Sequence, residues 1–200
     1  MLVGDRVRLR ALEREDIPRF VRWMNDPEVR GNLLVYEPMS TMAEERWFEG
    51  LQDRSTERIF GIEALAPVYG GGVSASLLPD TPDALTGGDW RHIGNVGLHG
   101  IDLHHRRAEI GIVIGEKDCW GKGFGREAMA LMMRFGFHEL GLHRIELEVF
   151  ETNPRALKAY RALGFTEEGV RRDAVFQGGR FLDCIRLGML REEFDARYRV

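Results

Sequence analysis

Seven stretches of this 200-residue chain alternate apolar and polar residues or form short apolar runs, and each predicts a β-strand. They are Arg6–Ala11, Arg58–Ala64, His92–Ile101, Arg107–Ile114, Arg144–Val149, Thr166–Val175 and Phe181–Leu190. Segments with helical spacing lie between several of them, and no internal repeat is evident. This order predicts a single α/β domain over residues 1–200, with one mixed sheet of about seven strands and helices on both faces.

Apolar residues three and four positions apart predict four helices between these strands. Ser40 or Thr41 is the expected cap of the second helix, with Glu44 in a capping-box position. Gly164 is expected to follow the end of the fourth helix. The predicted helices follow Glu15-Asp16, span Met42–Leu51, run from a glycine-rich segment to about Leu140, and extend from Asn153-Pro154 to Ala162.

The segment Ala66–Asp89 is rich in Gly, Pro, Ser and Asp and has no sustained periodicity. This composition predicts a long flexible loop between two strands. A functional lid and an insertion without consequence remain equal alternatives for it.

A glycine-rich segment, Trp120–Ala128, follows the apolar run Ile110–Gly115 and opens an amphipathic helix. Alternating glycines allow backbone N–H groups to surround an anion without obstruction by Cβ atoms. The free N–H groups and the positive dipole end of the following helix favour a phosphate at the same place. The sequence therefore predicts a phosphate-bearing cofactor at Gly121–Arg126.

Three kinds of phosphate loop compete for this segment. A P-loop requires Ser or Thr after the lysine, but Lys122 is followed by Gly123. The dinucleotide pattern fits Gly123–Ala128, with Glu146 or Glu148 as the ribose-binding acid, yet several residues separate the strand from the first of those glycines. The third kind, a loop for the pyrophosphate of coenzyme A, is favoured by the rest of the chain.

Composition and charge narrow the classes of partner. The net charge of −4 and the scattered arginines argue against a nucleic-acid partner. Cys119 and Cys184 lie too far apart for a disulfide framework or a zinc motif, and His104 and His105 would point to opposite faces of a strand, so we expect no metal. The chain lacks a leader-like apolar core and an apolar run of membrane-spanning length, which predicts a cytoplasmic protein without a membrane partner.

Two segments together resemble the GNAT superfamily of acyl-CoA N-acetyltransferases. Trp120–Gly125 matches its loop pattern Gln/Arg-x-x-Gly-x-Gly/Ala, except that tryptophan occupies the first position. Asn153–Phe165 matches a second pattern through its Asn, Tyr and terminal Gly-Phe. The resemblance extends from about Val7 to Leu190. It implies the GNAT fold with a mostly antiparallel sheet, acetyl-CoA as cosubstrate, a primary amine as acceptor, and it is compatible with a homodimer.

The acceptor is less well determined by this resemblance. Arg6–Asp16 and Trp23–Val29 look like the branch that acetylates the N-terminal residue of ribosomal proteins, so a protein α-amine is the preferred prediction. Arg106–Glu109 and Asn153–Phe165 look similar to polyamine (spermidine-type) acetyltransferases, and an aminoglycoside or another small amine is a further alternative. A non-catalytic acyl-CoA-binding protein is an alternative of a different class. We expect the acceptor pocket to form from the first two helices and the Ala66–Asp89 loop.

The resemblance makes Tyr160 the proton donor to the departing coenzyme A thiolate. Asn153, Ala156 and Tyr160 lie at i, i+3 and i+7, on one face of a helix that can contact the pantetheine arm. The strand before the glycine loop is expected to offer backbone groups to the pantetheine amides. The predicted cofactor-binding residues are Ile112, Val113, Ile114, Gly121, Lys122, Gly123, Phe124, Gly125, Arg126, Asn153, Ala156 and Tyr160.

Glu109 is predicted to be the general base, either directly or through a water molecule, because it precedes the apolar strand that leads to the cofactor loop. The family often has an acidic residue at this place. An ordinary carboxylate at the strand edge is the alternative interpretation. Glu146 and Glu148 rank below Glu109 as candidates.

Overall fold

The structure, a computed structural model, describes residues 1–51, 54–66 and 89–198. Within these residues eight strands form one sheet: β1 (Leu2–Val3), β2 (Val7–Arg10), β3 (Arg58–Ala66), β4 (Asp89–Asp102), β5 (Arg107–Ile114), β6 (Arg144–Phe150), β7 (Thr166–Gln177) and β8 (Arg180–Leu190). Their order in the sheet is β1-β2-β3-β4-β5-β6-β8-β7. Only the β5–β6 pair of this described sheet is parallel, which confirms the prediction of a mixed, mostly antiparallel sheet.

Six α-helices accompany the sheet in the described part of the chain: α1 (Ile17–Asn25), α2 (Pro27–Arg30), α3 (Thr41–Gly50), α4 (Phe124–Arg134), α5 (Pro154–Leu163) and α6 (Arg191–Tyr198). A 3₁₀ turn precedes α1, and a π-helical turn continues α4 to Glu139. The Ser40 side chain caps α3 by accepting a hydrogen bond from the N–H of Ala43. Glu44 therefore lies one position beyond a capping box, and its burial raises its pKa to about 7.

The predicted loop between β3 and β4 is only partly described. Its two end residues, Ala66 and Asp89, belong to these strands and form their last residue pair. Residues 67–88 lie outside the described residues.

Helices cover both faces of β5, because successive side chains of a strand point to opposite faces. Ile112 and Ile114 pack against the main core, which includes much of α4. Val113 instead packs against a smaller core that contains Trp23 and Met24 of α1. The end of β5 is therefore enclosed from both sides.

The parallel strands β5 and β6 pair over a short distance only. Their three residue pairs run from Arg107 opposite Arg144 to Glu109 opposite Glu146. Beyond that point β5 continues to Ile114 and β6 to Phe150 without pairing to each other. The divergence opens a cleft and leaves one edge of β5 without a neighbouring strand among the described residues.

The two adjacent histidines do not lie on a strand. His104 and His105 occupy the turn between β4 and β5, and their ring centroids are 4.7 Å apart. The expectation that they point to opposite faces of a strand was therefore wrong. Among the described residues no group of three or more His, Cys, Asp or Glu side chains could hold a metal ion. No helix in the described ranges is long and apolar enough to cross a membrane.

Candidate active site

A cleft of about 1190 Å³ lies where β5 and β6 diverge, and it brings most of the predicted site residues together. Phe124 does not line it, because its side chain is buried in the core. Lys122 does not line it either and is exposed at the surface. The predicted residues on its wall are Glu109, Ile112, Val113, Ile114, Gly121, Gly123, Gly125, Arg126, Asn153, Ala156 and Tyr160.

The glycine loop adopts a backbone that only glycine takes up easily. Gly121 and Gly123 have φ values of 75° and 88°, in the left-handed region, and Gly123 is the N-cap of α4. The N–H groups of Arg126 and Glu127 donate to the Gly123 carbonyl. The N–H groups of Phe124 and Gly125 come before these first intrahelical bonds and therefore have no acceptor within the helix, as expected at a helix N-terminus. Such a start offers donors to a phosphate.

Trp120 occupies the loop position where the family pattern has Gln or Arg. Its indole N–H donates to the Ile114 carbonyl at 2.7 Å, and the Arg155 guanidinium lies 4.4 Å from its ring centroid. Arg126 and Lys158 add further positive charge to the same wall. Arg155 and Lys158 were not among the predicted site residues, although their position in the first turns of α5 was a signal. This basic wall fits the phosphates of coenzyme A.

Helix α5 is defined at both ends by its sequence. The Asn153 side chain caps it by accepting a hydrogen bond from the N–H of Ala156 at 3.1 Å. Gly164, at a φ of 105°, ends it. Tyr160 thereby faces the cleft, with its ring 6.2 Å from that of Phe165 in an edge-on contact. Burial raises the pKa of Tyr160 to about 12, so the phenol is protonated at neutral pH and able to donate.

Glu109 and Glu148 both line the cleft, but their charges are compensated differently. Arg171 donates two hydrogen bonds of 2.9 Å to Glu148. Glu109 forms no ion pair with the described residues. Although much of its side chain is exposed, partial burial in the cleft together with the Glu148 carboxylate raises its pKa. Glu146 is absent from the cleft wall and pairs with Arg144 at 2.8 Å. A carboxylate with a raised pKa is a stronger base.

The two helices expected to form the acceptor pocket do not line the cleft. Neither α1 nor α3 contributes to it, whereas its described lining includes residues from α2 and the segment after it, and from β7. Any contribution of the loop lies outside the described residues. Neither β7 nor the segment after α2 carries a motif from which its place in the cleft could have been predicted. The exposed apolar residues among these are Leu34, Tyr36 and Phe176.

Replacing Gly125 by valine is expected to raise the KM for acetyl-CoA about tenfold or more, because a side chain would enter the cleft beside the loop. A Cβ at Gly125 would meet Ile112 and Ile114 at 3.6 Å, an ordinary contact, so the fold should be retained. Initial rates over a range of acetyl-CoA concentrations measure the effect. Gly50→Val is the control, since Gly50 also has room for a Cβ and lies outside the cleft. An unchanged KM in folded Gly125→Val would contradict a role for this loop in cofactor binding.

Comparisons with known proteins agree with this geometry. A sequence profile of the acetyltransferase (GNAT) domain matches residues 6–166. The chain is 31% identical over 197 residues to the spermidine N(1)-acetyltransferase of Vibrio cholerae, covering 96% of this chain and 97% of that one. The crystal structure of spermidine N-acetyltransferase from Vibrio cholerae in complex with CoA and spermine superimposes with a TM-score of 0.76 at 29% identity, covering 94% and 98% of the two chains.

Two further comparisons concern the acceptor and the assembly. A putative ribosomal N-acetyltransferase of Bacillus subtilis is 31% identical over 103 residues, which cover 52% of this chain and 56% of that one. Another structure of the Vibrio cholerae spermidine acetyltransferase, described as dodecameric, has a TM-score of 0.70 at 29% identity and covers 94% and 96% of the two chains. The profile spans most of the chain, and the likeness to the spermidine enzymes spans nearly all of it. The chain therefore belongs to the GNAT family of acetyltransferases and is an acetyl-CoA-dependent N-acetyltransferase.

Proposed function

We propose that this enzyme transfers the acetyl group of acetyl-CoA to a primary amine of a spermidine-type polyamine. The likeness to spermidine acetyltransferases over nearly the whole chain supports this acceptor, whereas the likeness to a ribosomal enzyme covers about half of the chain. The proposal reverses the preference that the sequence alone suggested. The observation that carries it is the pair of carboxylates, Glu109 and Glu148, on the diverging strands at the cleft wall.

The charges of the cleft are distributed in a way that suits both substrates. The basic residues Arg126, Arg155 and Lys158 lie on the two helices α4 and α5, which begin beside the glycine loop. The carboxylates lie on β5 and β6. The positive charges on the helices can attract the phosphates of the cosubstrate, and the carboxylates on the strands can attract a cationic amine. The exposed apolar residues after α2 and on β7 suit the methylene segments of a polyamine.

In the proposed reaction, Glu109 removes a proton from the ammonium group of the acceptor, directly or through water. The free amine attacks the thioester carbon, and the carbon–sulfur bond breaks as the tetrahedral intermediate collapses. Tyr160 gives its phenolic proton to the thiolate, which leaves as free coenzyme A, and the nitrogen that has attacked releases its second proton to the solvent as the amide forms. Tyr160 then takes up a proton from the solvent, and Glu109 releases to the solvent the proton that it removed. The loop and the unpaired edge of β5 hold the cosubstrate in position, which removes much of the barrier to a reaction between two molecules.

A homo-oligomer is part of this proposal, supported by the dodecameric relative. Light scattering coupled to size-exclusion chromatography measures the mass of the assembly in solution, which we expect to be a multiple of the mass of one chain.

The acceptor can be tested by measuring the release of free thiol from acetyl-CoA with different amines. These are spermidine, spermine, butylamine, an aminoglycoside and a peptide with N-terminal alanine. We expect kcat/KM for the polyamines to exceed that for butylamine at least about tenfold, because a second cationic group gains from the Glu148 carboxylate when it competes there with Arg171, whose side chain is exposed. Glu148→Gln should reduce this preference for polyamine over monoamine. Glu146→Gln is the matched control, since it removes a carboxylate of the same strand that lies outside the cleft.

Two results would contradict the proposed acceptor. One is faster acetylation of the peptide than of either polyamine, which would restore the ribosomal-protein type of substrate. The other is an equal loss of polyamine preference in Glu146→Gln and Glu148→Gln, which would reduce the effect to net charge.

A further inference from the structure

We propose that Arg6, near the start of the chain and outside the cleft, is a positioning residue for the glycine loop. Its Nη1 donates to the carbonyl oxygen of Lys122 at 3.2 Å. Lys122 lies between Gly121 and Gly123, the two loop glycines with left-handed backbone. Arg6 thus contacts the loop on the side opposite the cleft. This contact orients the peptide between Lys122 and Gly123, whose N–H group is presented to the cofactor phosphates.

The orientation follows from the planarity of the peptide bond. In a trans peptide the C=O of one residue and the N–H of the next point in opposite directions. The Lys122 carbonyl faces Arg6, so the Gly123 N–H points away from Arg6. Gly123 lines the cleft and Lys122 does not, which places the cleft on the side of the N–H group.

Arg6 is itself fixed by the beginning of α4. Its Nε lies 3.3 Å from the Glu127 carboxylate, and its guanidinium carbon lies 5.3 Å from the centroid of the Phe124 ring. Glu127 is 2% exposed, and it also accepts hydrogen bonds from the N–H groups of Arg6 and Val7 at 2.7 and 3.0 Å. The strand that begins at Val7 and the helix that follows the loop are therefore joined through one carboxylate, with Arg6 between them.

A loop with glycine on both sides of Lys122 needs such support. Glycine occupies the left-handed and right-handed regions with similar ease, so neither neighbour fixes the orientation of the intervening peptides. Without the bond from Arg6, the peptide between Lys122 and Gly123 is free to rotate. Its carbonyl oxygen would then face the cleft and repel a phosphate. The expected defect is confined to the part of the cosubstrate that carries the pyrophosphate.

Arg6→Gln tests this role, because glutamine is too short to reach the Lys122 carbonyl from the same backbone. We expect the KM for acetyl-CoA to rise roughly tenfold, the usual effect of losing a hydrogen bond from a charged donor, with kcat changed less than about twofold. The KM for S-acetyl-pantetheine, which lacks the pyrophosphate, should stay the same. This contrast between two cosubstrates is not expected from a general loss of stability.

Arg8→Gln is the matched control. Arg8 also pairs with a carboxylate, Glu63 at 2.6 Å, and lies 4.4 Å from an aromatic ring, that of Trp90, but it does not contact the loop. Both KM values should therefore be unchanged in Arg8→Gln. Glu127→Gln is a second variant in case Arg6→Gln does not fold, since its amide oxygen still accepts the two backbone N–H groups while its charge pair with Arg6 is lost. Glu127→Gln should raise the KM for acetyl-CoA by a smaller factor than Arg6→Gln does, and it should leave the KM for S-acetyl-pantetheine unchanged.

The inference is overturned if folded Arg6→Gln, or Glu127→Gln in its place, leaves the KM for acetyl-CoA unchanged or raises both KM values equally. It rests on the proposed binding of the pyrophosphate at the loop, which Gly125→Val tests separately. If Gly125→Val raises the KM for acetyl-CoA and Arg6→Gln does not, only the role of Arg6 fails. If neither variant changes it, the role of the loop fails as well.

Discussion

Tyr160→Phe is expected to lower kcat roughly 10²–10⁴-fold, the usual contribution of acid–base assistance, with little change in the KM for acetyl-CoA. The substitution keeps the ring and its contact with Phe165 and removes only the hydroxyl group that gives a proton to the thiolate. Because burial raises the pKa of Tyr160 to about 12, the wild-type enzyme should keep this proton donor at alkaline pH well below that value. Steady-state thiol release over a range of pH measures both effects.

Tyr198→Phe is the control for this variant. The Tyr198 hydroxyl donates to the Leu163 carbonyl at 3.1 Å and lies outside the cleft, so its removal should leave kcat unchanged. If kcat of Tyr160→Phe stays within about twofold of the wild-type value, the change is far below the range of acid–base assistance, and Tyr160 is a structural residue.

Glu109→Gln is expected to lower kcat/KM for the amine roughly 10²-fold or more and to remove one limb of the pH profile. A general base acts in its deprotonated form, so the wild-type rate should rise with pH through the pKa of Glu109. Burial and the Glu148 carboxylate raise that pKa, so the limb should lie above the usual range of a glutamate side chain, near 4.3. Profiles of kcat/KM against pH for both proteins measure the limb.

Glu167→Gln serves as the control, since that carboxylate is paired with Arg161 outside the cleft. Unaltered rate and pH profile in Glu109→Gln would reduce Glu109 to an ordinary carboxylate at the strand edge. The base would then be Glu148 or an ordered water.

Much of the fold could be predicted because the apolar periodicity and the residues that start and end each element indicate the same boundaries. The predicted bounds of β5 match the observed strand, and Asn153 and Gly164 mark the ends of α5 as expected. The elements that were missed have weak patterns. The strand β1 has two residues and the helix α2 has four, while α6 is largely polar and buries only Phe194. Such elements depend on the surrounding structure for their stability, and their own sequences carry little signal.

The candidate site could be predicted where backbone chemistry dictates residue type. The loop requires glycine because two of its residues have positive φ, and glycine is visible in the sequence. Contacts between distant parts of the chain leave no such mark. Arg155 lies over Trp120, and Arg6 reaches Lys122, only after folding has brought these segments together. The same holds for the acceptor side, where side chains from separate elements meet without a shared motif.

The short pairing of β5 with β6 affects how this family can change its sequence. Past Glu109 the exposed edge of β5 offers main-chain groups, which every residue except proline possesses in full. Recognition of a pantetheine arm along that edge would therefore survive exchanges among Ile, Val and Leu at 112–114, as long as the strand and its packing persist. Mutations can therefore exchange these apolar side chains for others that fill the same cores while the binding surface stays the same. Selection is then expected to act on Gly121 and Gly123, where an added methyl group disfavours the positive φ of the backbone itself.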